Sequence, residues 1–187
     1  MDAANSPKDK MPRGFAEFAQ NLNDTGRSIL FSCGYPAYID WQNDYSAIDW
    51  EALKRNCNMW RLTSDLDDDW ERIRTVINLY AENGEQLRAI NGPGHWNDLD
   101  VLALGNFALS RDQERVQMGL WCMFSVPLML STDLTSINSE SAALIKNKIL
   151  IGINQDQSGN QAKFLGRKGS VMVSVNKCLL CASVVKT

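Results

Sequence analysis

Apolar positions along the chain follow two periods in alternation, one helical and one extended. Phe15, Phe18, Ala19 and Leu22 recur at helical spacing, and Gly26 is a stop signal. Ser28–Cys33 reads as a short buried strand ended by Gly34-Tyr35-Pro36. After a loop, Ser46-Ala47-Ile48-Asp49 has the form of a capping box that opens a short helix carrying Trp50 and Leu53. Cys57–Leu62 is a second strand, and Trp70, Ile73, Val76, Ile77 and Tyr80 mark an amphipathic helix that ends near Asn83-Gly84. Leu87–Ile90 reads as a third strand, broken by Gly92-Pro93-Gly94 and followed by a long loop through His95–Asp100. Ser110-Arg111-Asp112-Gln113 caps a helix running to about Phe124, Pro127–Ser131 is a fourth strand, and Ser139–Asn147 a further helix.

One helix followed by repeated strand–loop–helix units argues for parallel strands with crossover helices. The loops after the strands hold most of the unusual polar residues, and α/β barrels keep their active sites there. After about Lys148 the character changes. Phe164-Leu165 and Val171–Val175 are β-like, interrupted by Gly166 and Gly169, as at the start of an antiparallel domain. The expected division is a disordered or non-native segment over 1–11, a partial (β/α)₈ barrel over 12–150, and a truncated β domain over 151–187.

Length sharpens that division. A complete (β/α)₈ barrel takes about 250 residues and rarely fewer than about 200, whereas the chain has 187. Composition is that of a globular protein able to bury a core, with 44% hydrophobic and 22% charged residues. A net charge of −3 offers no basic field for nucleic acid. The longest nearly apolar run, Met118–Leu130, contains Ser125 and Pro127 and is shorter than the roughly 20 residues of a membrane span. Met1-Asp2-Ala3-Ala4-Asn5 lacks the basic start of a signal peptide.

Two clusters could carry chemistry. Arg61 and Asp65 follow the second strand; a carboxyl group there can move a proton, and a guanidinium can bind a sugar hydroxyl or a carboxylate. Asp67, Asp68 and Asp69 sit at a helix start, where the dipole favours anions, so capping is their simplest role. Trp96-Asn97-Asp98-Leu99-Asp100 suits a sugar, with an aromatic face for C–H groups and carboxylates for hydroxyl pairs; an Asx-rich turn is the plain alternative. His95 is the only histidine, so no His-Cys or His-His metal site and no Ser-His-Asp triad is expected within this chain, and as a lone loop histidine it reads as structural. Cys178-Leu179-Leu180-Cys181 has zinc-like spacing without a second pair, and Cys122 reads as a buried thiol. No metal or cofactor is expected.

Leu22–Ile29, Ser32–Tyr38, Cys57–Arg61, Gly92–Asp98, Pro127–Leu134 and Ile153–Asp156 together resemble the α-galactosidase/α-N-acetylgalactosaminidase family, glycoside hydrolase family 27. The resemblance runs in order from about residue 12 to 165 and implies the second half of a TIM barrel. It implies a retaining glycosidase that releases terminal α-linked galactose or GalNAc from glycolipids, glycoproteins or oligosaccharides. Such enzymes use a nucleophile and an acid/base about 5–5.5 Å apart. Asp65 falls on the acid/base position, Arg61 and Asp100 on sugar-contacting positions, and Tyr38 on a pocket-lining one. Cys33 and Cys57 match a family disulfide, and Asn23, in the sequon Asn23-Asp24-Thr25, a glycosylation site. Where galactosidases of the family carry bulky Glu and Leu, this chain has Gly34 and Ala37, which favours an N-acetylgalactosaminidase-like pocket.

The family nucleophile lies in a Lys-x-Asp strand motif before the segment matching residues 12–33. No such motif is visible here, so the chain is expected to hold the acid/base and lack the nucleophile. The resemblance also implies a lysosomal or secreted setting and a homodimer for the complete enzyme. A reading from another class is a non-catalytic half-barrel that binds sugar or a partner.

Overall fold

The computed structural model describes residues 1–168, 171–175 and 182–186. Its elements, in chain order, begin with α1 (Met11–Asp24), β1 (Ser32–Cys33), α2 (Trp50–Asn56) and β2 (Met59–Arg61). They continue with α3 (Trp70–Glu82), α4 (Gly84–Ala89), β3 (Trp96–Asp98) and α5 (Arg111–Met123). The last are α6 (Ser139–Ile145), α7 (Lys148–Asn154), β4 (Lys163–Lys168), β5 (Val171–Val175) and β6 (Ala182–Lys186). The chain divides into two compact units: Met1–Ser64 with Gly94–Asp98, and Asp65–Pro93 with Leu99–Thr187.

The first unit is built on a parallel sheet in the order β1-β2-β3. Trp60 lies at its centre, in register with Cys33 on one side and Asn97 on the other, and is wholly buried. Its indole N–H donates to the Asn97 side-chain oxygen at 2.8 Å. That bond explains how a polar residue is completely buried in a strand, since buried polar groups need partners. α1 contributes Phe15, whose ring meets Phe31 and Tyr35 at centroid distances of 6.1 and 5.0 Å. Trp41 is buried and donates to the Leu62 carbonyl.

Residues 1–11, expected outside the fold, hold defined positions. Ala3 and Met11 are buried, the Met1 amine donates to the Ser32 carbonyl at 2.7 Å, and Gly34 N–H donates to the Met1 carbonyl at 2.9 Å. Met1 thus lies along the side of β1 opposite β2.

In the second unit, α3 buries Ile73, Val76, Ile77, Leu79 and Tyr80, and the Tyr80 ring meets Phe124 at 4.5 Å. Ser110 and Gln113 form the expected capping box at the start of α5. Leu102 and Leu130 form an isolated parallel bridge. β4, β5 and β6 form an antiparallel sheet in that order.

Several expected elements differ. The stretch 87–90, read as a third strand, belongs largely to α4: Gly84 and Leu87, three residues apart, are its buried positions, which is helical spacing. The third strand is instead Trp96–Asp98, inside the expected loop. The first strand is shorter than expected, and Ile29 and Leu30 are exposed. The fourth is reduced to the bridge at Leu130. Asp49, not Ser46, caps α2, accepting from Ala52 N–H at 2.9 Å. Gly166 stays within β4, where a register shift and a φ of 155° make a bulge that glycine tolerates. Cys178, Cys181 and Gly169 lie outside the described residues.

Candidate active site

β1 ends at Cys33 and leads into the loop that holds three of the expected site residues, Gly34, Ala37 and Tyr38. Cys33 is bonded to Cys57, with an S–S distance of 2.04 Å and a Cα–Cα distance of 6.0 Å. Gly34 then opens a tight turn, Tyr35–Tyr38, that contains Ala37. Tyr35 is buried, and burial raises its phenol to about 12. Tyr38 is exposed at the end of the turn, and its hydroxyl donates to Asp2 Oδ1 at 2.6 Å.

Asp2, not among the expected site residues, is the Tyr38 partner. Besides Tyr38, the backbone N–H groups of Ala3 and Ala4 donate to the same carboxylate oxygen at 2.6 and 3.2 Å. The Tyr38 hydroxyl first, then these two amides, hold the Asp2 carboxyl below its ordinary value of 3.8. Hydrogen bonds to the charged form favour it, so Asp2 is an anion across the neutral and mildly acidic range. Asp2 belongs to no periodic element, so its placement by Ser32 and Gly34 backbone leaves no trace in the apolar pattern.

Gly34 is fixed by the same segment. A Cβ there would lie 2.9 Å from the Met1 carbonyl oxygen and 3.4 Å from Asp2 Cα. The room that a small residue was expected to leave for an acetamido group is filled by backbone at Gly34; Ala37, half-buried, keeps that role open.

Arg61 ends β2 in register with Asp98, and its guanidinium donates to the Thr63 carbonyl at 3.3 Å. His95 stacks on Trp60, with centroids 6.3 Å apart and planes 16° from parallel. Burial, then the nearby Lys54 charge, hold the imidazole below its ordinary 6.5, with Glu51 opposing. The unfolded chain therefore takes up a proton first as pH falls. Stability from this site is complete above 6.5 and declines below it. His95→Phe keeps a stacking ring without the titration. Its melting temperature should fall less than that of the parent between pH 7 and about pH 5; equal falls would refute the assignment.

Asn23 is exposed in the last turn of α1, and the Thr25 hydroxyl of its sequon donates to the Leu22 carbonyl at 2.7 Å.

In the second unit, Asp65 is exposed, and its carbonyl accepts from Arg72 at 3.2 Å. The next residue, Leu66, donates its N–H to Asp100 Oδ2 at 2.6 Å. Asp100 is itself buried and takes a left-handed φ of 68°, an uncommon conformation for a residue with a side chain. The Trp121 indole donates to its carbonyl at 2.9 Å and helps hold it there. Backbone strain of this kind clusters at functional sites.

The acidic run divides its labour differently from a set of helix caps. Only Asp69 caps α3, accepting from Arg72 N–H at 3.0 Å. Asp67 pairs with the Arg72 guanidinium at 3.1 Å. Asp68 accepts from Phe107 and Ala108 N–H, both at 2.8 Å. Asp67 and Asp68, with Asn106, Ser131, Thr132 and Asp133, line an open polar groove of about 430 Å³.

Among the described residues, no group of His, Cys, Asp and Glu could hold a metal ion, and no helix is long and apolar enough to cross a membrane.

A family model described as alpha galactosidase A matches residues 1–156, beginning at the segment that carries Asp2. The chain is 37% identical over 170 residues to alpha-N-acetylgalactosaminidase of Gallus gallus, covering 91% of this chain and 42% of that protein. It is 39% identical over 148 residues to alpha-galactosidase A of Homo sapiens, covering 79% and 34%. The crystal structure of alpha-galactosidase I from Mortierella vinacea aligns with a TM-score of 0.75 at 25% identity, over 90% of this chain and 45% of that one. The chain thus spans about two-fifths of the length of the first relatives it matches. A single model spanning five-sixths of the sequence decides the matter: the chain belongs to the alpha galactosidase A family, glycoside hydrolase family 27.

Proposed function

We propose that the whole protein is a retaining glycosidase that cleaves terminal α-linked galactose or GalNAc from glycoconjugates. In this reading Asp65 is the acid/base. Arg61 and Asp100 contact sugar hydroxyls, and Tyr38 and Ala37 line the pocket. The expectation of a missing nucleophile is replaced by a role for Asp2. One observation carries this: a carboxylate held as an anion by Tyr38 and two backbone amides, on a segment running beside β1. The nucleophile was expected on a strand preceding the first helix, and Met1-Asp2 precede α1.

The chemistry needs both carboxylates. Asp2 attacks the anomeric carbon, and Asp65 gives its proton to the departing glycosidic oxygen. The glycosyl ester on Asp2 then yields to water, whose proton returns to Asp65. We read β4–β6 as the beginning of the family's C-terminal β domain. The buried Cys33–Cys57 bond fits a lysosomal or secreted compartment, Asn23 would carry a glycan, and the complete enzyme would be a homodimer.

A cyclitol aziridine of galactose configuration and one of GalNAc configuration test the assignment, because ring opening leaves an ester on the nucleophile. Peptide mass spectrometry should find the label on Asp2 and lose it in Asp2→Asn. A label on another residue, or none with either probe, would refute the role of Asp2. Undiminished binding of free GalNAc without labelling would favour the non-catalytic half-barrel. Faster labelling by the galactose probe would overturn the N-acetylgalactosaminidase-like preference.

A further inference from the structure

Asp68 is the member of the acidic run whose bonds reach furthest along the chain. One carboxylate oxygen takes both the Phe107 and Ala108 N–H groups, 39 and 40 residues away. The loop that supplies them is itself tied down. Gly105 N–H donates at 2.8 Å to Glu114, a buried carboxylate on α5 that also accepts from Ser141 Oγ at 2.7 Å and Arg111 at 3.2 Å. The Asn106 amide donates to the Ser131 carbonyl at 2.8 Å. Gly105 has a φ of 83°, and a Cβ there would meet Ile137 at 2.6 Å, so the loop has little freedom to shift.

The segment beginning at Asp65 is therefore held at three points: Leu66 by Asp100, Asp68 by the 105–108 loop, and Asp69 by α3. Asp65, an exposed residue, opens this segment directly before Leu66. We infer that Asp68 is a positioning residue for Asp65. It fixes the turn that presents the acid/base carboxyl. The inference rests on the reading of Asp65 given above.

Two amides bonded to one carboxylate are charge-assisted contacts, and losing both frees the loop locally. In Asp68→Ala, hydrogen exchange at Phe107 and Ala108 should be about tenfold faster. In the chain labelled with carbon-13 at aspartate carboxyls, the Asp65 resonance, identified by its loss in Asp65→Asn, should move together with its titration midpoint. Asp68→Asn keeps an oxygen acceptor for the two amides and should restore both. Faster exchange with an unmoved Asp65 resonance and midpoint would overturn the inference, as would failure of Asp68→Asn to restore them. If Asp68→Ala does not fold, Asp68→Ser, too short to reach both amides, carries the same test. The readout is on the Asp65 carbon, so it is separable from the acid/base role. That role is lost if Asp65→Asn labels at Asp2 as fast as the parent, a result that leaves the clamp intact.

Discussion

Trp60→Ala is expected to remove most of the stability of the first unit. The side chain has no solvent exposure and lies at the centre of the parallel sheet, between Cys33 and Asn97. Truncating a buried Trp costs about 3–5 kcal/mol through lost transfer energy and the cavity left behind. Loss of the indole bond to the buried Asn97 adds about 1 kcal/mol, and the stack with His95 goes too. Set against a typical domain stability of about 5–15 kcal/mol, the sum is a large share. Urea unfolding followed by circular dichroism should show a loss of about 4 kcal/mol or more, with Trp60→Phe retaining part of it. A loss under about 2 kcal/mol for the alanine variant would mean that the sheet is not packed around this ring.

Replacing Cys33 and Cys57 together by serine is the second large effect. The bond spans a sequence separation of 24 that includes α2, and joins the end of β1 to the residue that caps α2. Loop-closure entropy alone assigns it about 3 kcal/mol. Both cysteines are buried, so a reductant reaches the bond only when the unit opens. The double serine variant and the reduced parent should unfold at the same denaturant concentration, both lower than the oxidised parent. Coincident midpoints for the oxidised and reduced parent would show that the bond does not constrain the unfolded chain. Cys122 offers little competition, because burial raises its thiol to about 12 and keeps it from the reactive thiolate form.

Features set by neighbours in sequence were legible from the sequence. The Ser110–Gln113 box is a matter of four residues, and the stripe Ile73, Val76, Ile77, Tyr80 reports one helix face. Features set by distant partners were not. Trp96–Asp98 looks like a loop because two of its three residues are strongly polar. It is a strand because β2 lies beside it and the Trp60 indole satisfies Asn97. Asp67, Asp68 and Asp69 look alike as text, yet their partners lie 5, about 40 and 3 residues away. Leu87 and Ile90 were read as extended, although their spacing of three residues with Gly84 fits the helix that Gly84–Ala89 adopts. For the candidate site, Arg61, Asp65, Asp100 and Tyr38 came from the family motifs, whereas Asp2 stands out only through bonds across more than 30 residues, its own to the Tyr38 hydroxyl and that of neighbouring Met1 to Ser32.

Gly34 has a consequence for changing this chain by design. The resemblance makes this position an expected selectivity determinant, because galactosidases of the family carry a bulkier residue there. Yet its missing side chain is also what lets the Met1 carbonyl and Asp2 backbone lie against the turn. Any side chain added at Gly34 must therefore displace the Met1–Asp2 backbone; under the function proposed above, that would tie sugar preference to the placement of the Asp2 carboxylate. Under the same proposal, Ala37, three residues on in the same turn, is the place to alter sugar preference alone.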